Sequence, residues 1–273
     1  MNNVKVKSWE DCQQELKKIE KYRNDLSRQK STYVSHLLYR GHSNYKWHLT
    51  TTLERFANQD LSVESYYRKI SITKSQIETL TNKIWEIPKW KYFETWLSSA
   101  DMFMKDILPG YEYMIYLRHN GFPSPLLDWS RSPFVASYFA FQNIPPQTEY
   151  VSLYAYLEDA GEGKVHEGSK ALISGLGPNV RTHRRHWLQQ SEYTICTMKE
   201  GKEFSYACHE NVFSEGSEQQ DVLWKIDIPT SESLKALYDL DKMNINAFSL
   251  FGSEESLMET VAIREFHLKN AYP

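Results

Sequence analysis

The chain has 273 residues, 41% of them hydrophobic and 14% aromatic, enough for a large buried core. Its 32 basic and 35 acidic side chains leave a formal charge of -3, which excludes a partner held by global electrostatics, such as duplex DNA gripped mainly through its phosphates. The opening MNNVKVKSWE has no apolar leader core, and no stretch approaches the roughly 18 apolar residues of a membrane span, so a cytoplasmic protein without membrane contact is expected.

Ser8 followed by Asp11 resembles a capping box, and Cys12, Leu16, Ile19, Tyr22 and Leu26 recur at three- and four-residue steps, predicting a helix that ends near Ser31. Leu37-Leu38-Tyr39 reads as a strand closed by Gly41, whose end must turn sharply or approach a ligand closely. From Ser62 to about Trp85 the spacing of Ile70, Ile77, Leu80 and Ile84 is helical, and a second helical stretch runs from Tyr92 to Leu108; together they read as a helical insertion. Ser132-Pro133 is an N-cap and first-turn pair that starts a helix over Phe134 to Phe141. Alternation predicts strands over Val151 to Leu157 and Val222 to Ile228, with shorter ones over Tyr193 to Met198 and Phe204 to Cys208. Ser231 and Ser253 are candidate caps of two late helices. Strands and helices mix without regular alternation and no linker divides the chain, so one α+β domain over residues 1–273 is expected.

Cys12, Cys196 and Cys208 lie far apart and form no C-x-x-C pair, which fits a reducing compartment. His36, His42 and His48, and the pair His183 and His186, lack the carboxylate or thiolate company of a metal site, so no metal is expected. The chain has neither a P-loop nor a dinucleotide-binding glycine fingerprint.

Two clusters carry the chemistry. In Leu38-Tyr39-Arg40-Gly41-His42-Ser43 an arginine at a strand end can present its planar fork to phosphate oxygens, although an Arg-Gly pair also fits a surface turn. From His119 to Pro133 a glycine- and proline-rich loop leads into a helix N-terminus, which suits an anion; alternatively Asp128 and Ser132 cap the helix and Trp129 packs in the core.

Tyr39-Arg40-Gly41, His119 to Gly121, Leu126-Leu127-Asp128-Trp129-Ser130 and Ala136-Ser137-Tyr138-Phe139-Ala140 resemble, in order and spacing, the FRG domain family, over roughly Ser8 to Leu257. A more distant resemblance is to ADP-ribosyltransferases of the Arg-Ser-Glu type. It implies a split mixed β-sheet core with the helical insertion at about residues 60–110. Arg40 matches that family's first-strand arginine, Ser130 its serine strand, and Gln190-Ser191-Glu192 its Q-x-E motif.

The resemblance implies that NAD is the substrate. Arg40 would hold its pyrophosphate, and Tyr39, Gly41, His42, His119, Asp128, Trp129 and Ser130 would complete the nucleotide site. Glu192 would oppose the oxocarbenium charge as the glycosidic bond breaks, supported by Ser130, while Gln190 orients the acceptor. Glu254, Glu255 and Glu259 are reserve acids. The basic run Arg181, Arg184, Arg185 beside Trp187, with Gln190, would meet the acceptor, and a cationic strip beside aromatic faces suits single-stranded RNA or DNA, although a solvated face fits the same run.

The expected function is thus an NAD-dependent mono-ADP-ribosyltransferase. It would act as a toxin or anti-phage effector that modifies a macromolecule and is restrained by an antitoxin or inhibitory protein. A non-catalytic nucleotide or nucleic-acid binding module and an NAD glycohydrolase are the alternatives.

Overall fold

The computed structural model describes residues 2–56, 62–98, 107–164, 170–216 and 218–269. β1 (Asn2–Lys5) is short, polar and exposed, and its sequence gave no strand signal. Ser8 caps α1 (Trp9–Gln29) as expected, accepting the Asp11 amide at 3.1 Å, and Trp9, Cys12, Leu16 and Ile19 form the buried stripe. β2 (Leu37–His42) runs past the expected closing glycine, because Gly41 serves a close approach instead of a turn. A Cβ at Gly41 would stand 2.0 Å from the Ala136 carbonyl oxygen and 2.5 Å from the Ala140 amide nitrogen. Only glycine therefore lets α6 (Pro133–Phe141) lie directly on β2. Ser132 caps α6 with Pro133 in its first turn, as the sequence indicated.

Between β2 and β3 (Leu126–Ser130) lie α2 (Thr52–Phe56), α3 (Val63–Thr81), α4 (Trp90–Ser98) and α5 (Tyr111–His119). α3 stops at Asn82, whose left-handed conformation ends the helix short of Ile84 and Trp85. The expected Tyr92–Leu108 helix corresponds to α4 as far as Ser98; residues 99–106 lie outside the described residues. α5 was not foreseen. Its residues 113–117 are all buried, so it carries no amphipathic period to read.

After α6 come β4 (Tyr150–Asp159), β5 (Leu172–Gly175), α7 (Arg184–Leu188), β6 (Ser191–Glu200), β7 (Glu203–Tyr206) and α8 (His209–Glu215). β8 (Gln220–Pro229), α9 (Ser233–Lys242), α10 (Ala247–Phe251) and α11 (Glu254–Ile263) follow. Ser253 caps α11 in reciprocal bonds with Ser256, but Ser231 caps nothing: it lies in a 3-10 turn over Thr230–Glu232 from which α9 continues.

The strands join one mixed sheet in the order β1-β8-β4-β2-β3-β6-β5, with β7 also on β6. β1 pairs with β8 in parallel and the other pairs are antiparallel. The protein is therefore mixed α and β. β2 matches β4 over six residues, from Leu37 opposite Leu157 to His42 opposite Ser152, whereas β2 and β3 share a single register pair, Tyr39 opposite Ser130. The sheet thus has a seam at its centre. α1, α6, α9 and α10 pack on the β2-β4-β8 half, and α3, α4 and α5 on the β3-β6 half. Among the described residues no helix is long and apolar enough to cross a membrane.

Candidate anion-binding cavity at the sheet seam

A cavity of about 770 Å³ opens where β2 and β3 part, within the size range of small-molecule sites. Arg40, on β2, donates from Nη1 across the seam to the Asp128 backbone carbonyl at 2.7 Å and to the Asp128 carboxylate, and from Nε to His42 Nε2 at 3.0 Å. Arg118, on the last turn of α5, donates to the same carboxylate and to Thr52 Oγ1 at 3.2 Å. Arg55, from α2, reaches the Thr50 carbonyl at 2.7 Å. Arg185, from α7, donates to the His119 carbonyl at 3.2 Å and lies 5.2 Å over the Phe251 ring. Together with Lys46 these side chains put five cationic groups on the lining, against Asp128 as the one carboxylate among the described lining residues.

The titration directions register that imbalance. Burial raises the Asp128 pKa, yet Arg118 and then Arg40 outweigh it and hold the carboxyl well below the usual range. The Arg55 guanidinium is pushed below its ordinary value by burial and next by the neighbouring Arg40 and Arg118 charges. Burial, reinforced by Arg40, lowers His42 to about 3; burial also takes His119 to about 3, with Asp128 opposing the shift. Both imidazoles are neutral near pH 7. Two buried nitrogens on the lining, His42 Nδ1 and Arg185 Nε, have no hydrogen-bond partner among the described residues.

Most of the expected nucleotide-binding residues meet here: Arg40, Gly41, His42, His119, Asp128 and Ser130 all border the cavity. Their tasks differ from those expected. Asp128 is the counter-ion of two arginines, and the His119 ring bonds the Tyr193 hydroxyl at 2.8 Å. Ser130 donates to the Gln189 carbonyl at 2.8 Å, tying β3 to the entry of β6. Tyr39 and Trp129 touch the cavity but are only 3% and 2% exposed. Tyr39 turns its hydroxyl toward Glu20, and Trp129 stacks on Tyr156 and donates Nε1–H to Thr194 at 2.9 Å.

The expected catalytic pair is not on this lining. Ser191 borders the cavity, and because side chains along a strand alternate, its neighbour Glu192 leaves by the other face. The Glu192 carboxylate, 5% exposed, instead meets His36 Nε2 at 2.9 Å and Arg131 Nε at 3.4 Å. Gln190, at φ 49°, is exposed in the turn before β6, and Gln189 takes its place on the cavity wall. Of the expected acceptor strip only Arg185 reaches the cavity. Arg181, Arg184 and Trp187 are exposed, with Arg184 lying against Gly252. Among the reserve acids, Glu254 and Glu255 are exposed and Glu259 accepts from Gln142 at 2.8 Å.

Sequence reasoning missed Arg55, Arg118, Gln189 and Phe251. Arg118 immediately precedes the His119 motif, so a reading that had recognised α5 would have placed it on that helix's last turn. Arg55 sits on a five-residue helix with no periodic signal. Residues 35–149 match the family model of the FRG domain, a stretch that holds Arg40, Arg55, Arg118 and Asp128. No curated protein and no solved structure matches the chain.

Proposed function

We propose that this chain, whose residues 35–149 form an FRG domain, binds a phosphorylated nucleotide in the cavity at the sheet seam. The observation that carries this reading is that Arg40 and Arg118 share the single carboxylate of Asp128 while Arg55, hydrogen-bonded to Thr50, borders the same cavity, which leaves guanidinium charge unmatched inside a concave site. A phosphate or pyrophosphate supplies that charge, and each charge-assisted hydrogen bond contributes about 1.5 to 3 kcal/mol. Phe139, Phe251 and Trp47 on the same lining offer apolar faces to a base. The test is calorimetric titration with ADP, ADP-ribose and NAD. Binding by wild type that is lost in Arg40→Ala supports the reading; no binding of any of the three removes it.

A second reading, NAD-dependent ADP-ribosyl transfer, is favoured by one observation: the strands bearing Arg40, Ser130 and Glu192 are consecutive in the sheet, β2-β3-β6. In that reading the cavity holds NAD as substrate and a macromolecule such as RNA or DNA accepts the ADP-ribose. The chain would act as a toxin or anti-phage effector, with an inhibitory partner protecting its own cell. It requires Glu192 to leave His36 and Arg131 and reach the ribose. Incubation with labelled NAD and cell lysate decides: label transfer by wild type and not by Glu192→Gln supports transfer, and equal transfer by both variants eliminates Glu192 as the acid. Free nicotinamide without a labelled acceptor indicates NAD hydrolysis instead.

A further inference from the structure

The cavity does not end at its mouth. Lys46 borders it and also stands 5.5 Å over the ring of Tyr45, which lies outside. Tyr45 and Tyr150 meet edge to face, with centroids 5.6 Å apart and planes at 71°, and the Tyr45 amide donates to the Tyr150 carbonyl at 3.0 Å. Cations converge on this aromatic pair from separate parts of the chain. Lys5, from β1, is 4.6 Å from the Tyr150 centroid and 5.4 Å from that of Tyr45. Lys225, from β8, is 5.9 Å from Tyr45, donates to the Tyr45 carbonyl at 2.6 Å and pairs with the buried Asp227 carboxylate at 3.6 Å, so it anchors the platform. Trp47, 49% exposed and two residues from Tyr45, lines the cavity itself.

We infer that the ligand is a single-stranded nucleic acid that runs from the arginine cavity, past Lys46 and Trp47, over the Tyr45–Tyr150 platform. The inference rests on the anion-binding reading of the cavity and extends it. Alternating aromatic faces and cations match the alternating bases and phosphates of a strand, and stacking tolerates any base. A duplex hides its base faces, and a net charge of -3 gives the chain no overall electrostatic pull on a rigid polyanion. An acidic peptide would meet the lysines but has no planar groups for Tyr45, Tyr150 and Trp47.

The test is fluorescence anisotropy with a 5′-phosphorylated oligothymidylate of about ten nucleotides, competed by thymidine monophosphate, the matching duplex and polyglutamate. The strand is expected to bind at least about tenfold more tightly than the monophosphate. Lys5→Ala and Tyr45→Ala, which lie off the cavity lining, each weaken strand binding about fivefold and leave the monophosphate unaffected. Lys5→Ala also makes the slope of log affinity against log salt shallower by about 0.7. Equal affinity for strand and monophosphate, equal binding of the duplex, or displacement by polyglutamate as effective as by unlabelled strand overturns the inference while the cavity reading stands. If ADP, ADP-ribose and NAD also fail to bind, the cavity reading falls with it.

Discussion

Two carboxylates on adjacent strands, Asp128 on β3 and Glu192 on β6, each sit between two basic side chains, and only Asp128 lines the large cavity. Asp128 shares Arg40 and Arg118, with Arg55 and Arg185 close by, and its side chain is 39% exposed to a cavity of about 770 Å³. Glu192 shares His36 and Arg131, is 5% exposed, and lies beside a hollow of about 270 Å³ whose lining also includes the acidic Glu20. The charges around Glu192 are matched locally. Those around Asp128 are not, and an unmatched cationic group in a concave, partly dry place is what an anionic ligand completes. Carboxylate company alone does not mark a site; the surplus does.

The most disruptive way to probe the comparison is through Gly41. Gly41→Ala drives a methyl group into the backbone of α6 and displaces the strand that carries Arg40. A loss of about 3 kcal/mol or more in urea unfolding is expected, together with loss of nucleotide binding. Next, Arg40→Ala is expected to weaken ADP binding about 100-fold by calorimetry, whereas Arg131→Ala on the Glu192 side leaves it unchanged. A further probe is pH. His42 and His119 stay neutral when folded, lowered from 6.5 to about 3, while the unfolded chain takes up their protons below 6.5. Stability therefore falls as pH drops from 6.5 toward 3, by up to about 1.4 kcal/mol per pH unit for each imidazole. His119→Gln should flatten that dependence by about 2 kcal/mol between pH 6.5 and 5 in urea melts, and an unchanged slope would show that His119 protonates freely. Smallest, Asp128→Asn removes the competitor for Arg40 and Arg118 and should tighten ADP binding a few-fold, about 1 kcal/mol, against a similar loss of apo stability.

Much of the frame was legible in the sequence because its signals are local. Ser8, Ser132 and Ser253 cap the helices they were expected to cap, and the alternation around Leu153 and Ile226 marks β4 and β8, which pair with each other along most of their length. Arg40, Asp128 and Ser130 were brought together by their motifs, and all three line one cavity. What was not legible depends on register and on elements without a period. The strand over Tyr193 to Met198 was foreseen, but which of Ser191 and Glu192 faces the cavity is set by pairing with β3, and a one-residue difference exchanges the faces. Arg118 was overlooked because α5 is buried around most of its circumference and its sequence reads as neither helix nor strand. The platform at Tyr45 joins side chains from β1, β4 and β8, distances along the chain that no motif spans.

The most direct measurement is a single calorimetric series in which ADP is titrated into wild type, Arg40→Ala and Glu192→Gln. Binding by wild type and by Glu192→Gln with the same affinity, and its loss in Arg40→Ala, is the expected result. Retention in Arg40→Ala with loss in Glu192→Gln would place the ligand on the other carboxylate and contradict a site at the sheet seam.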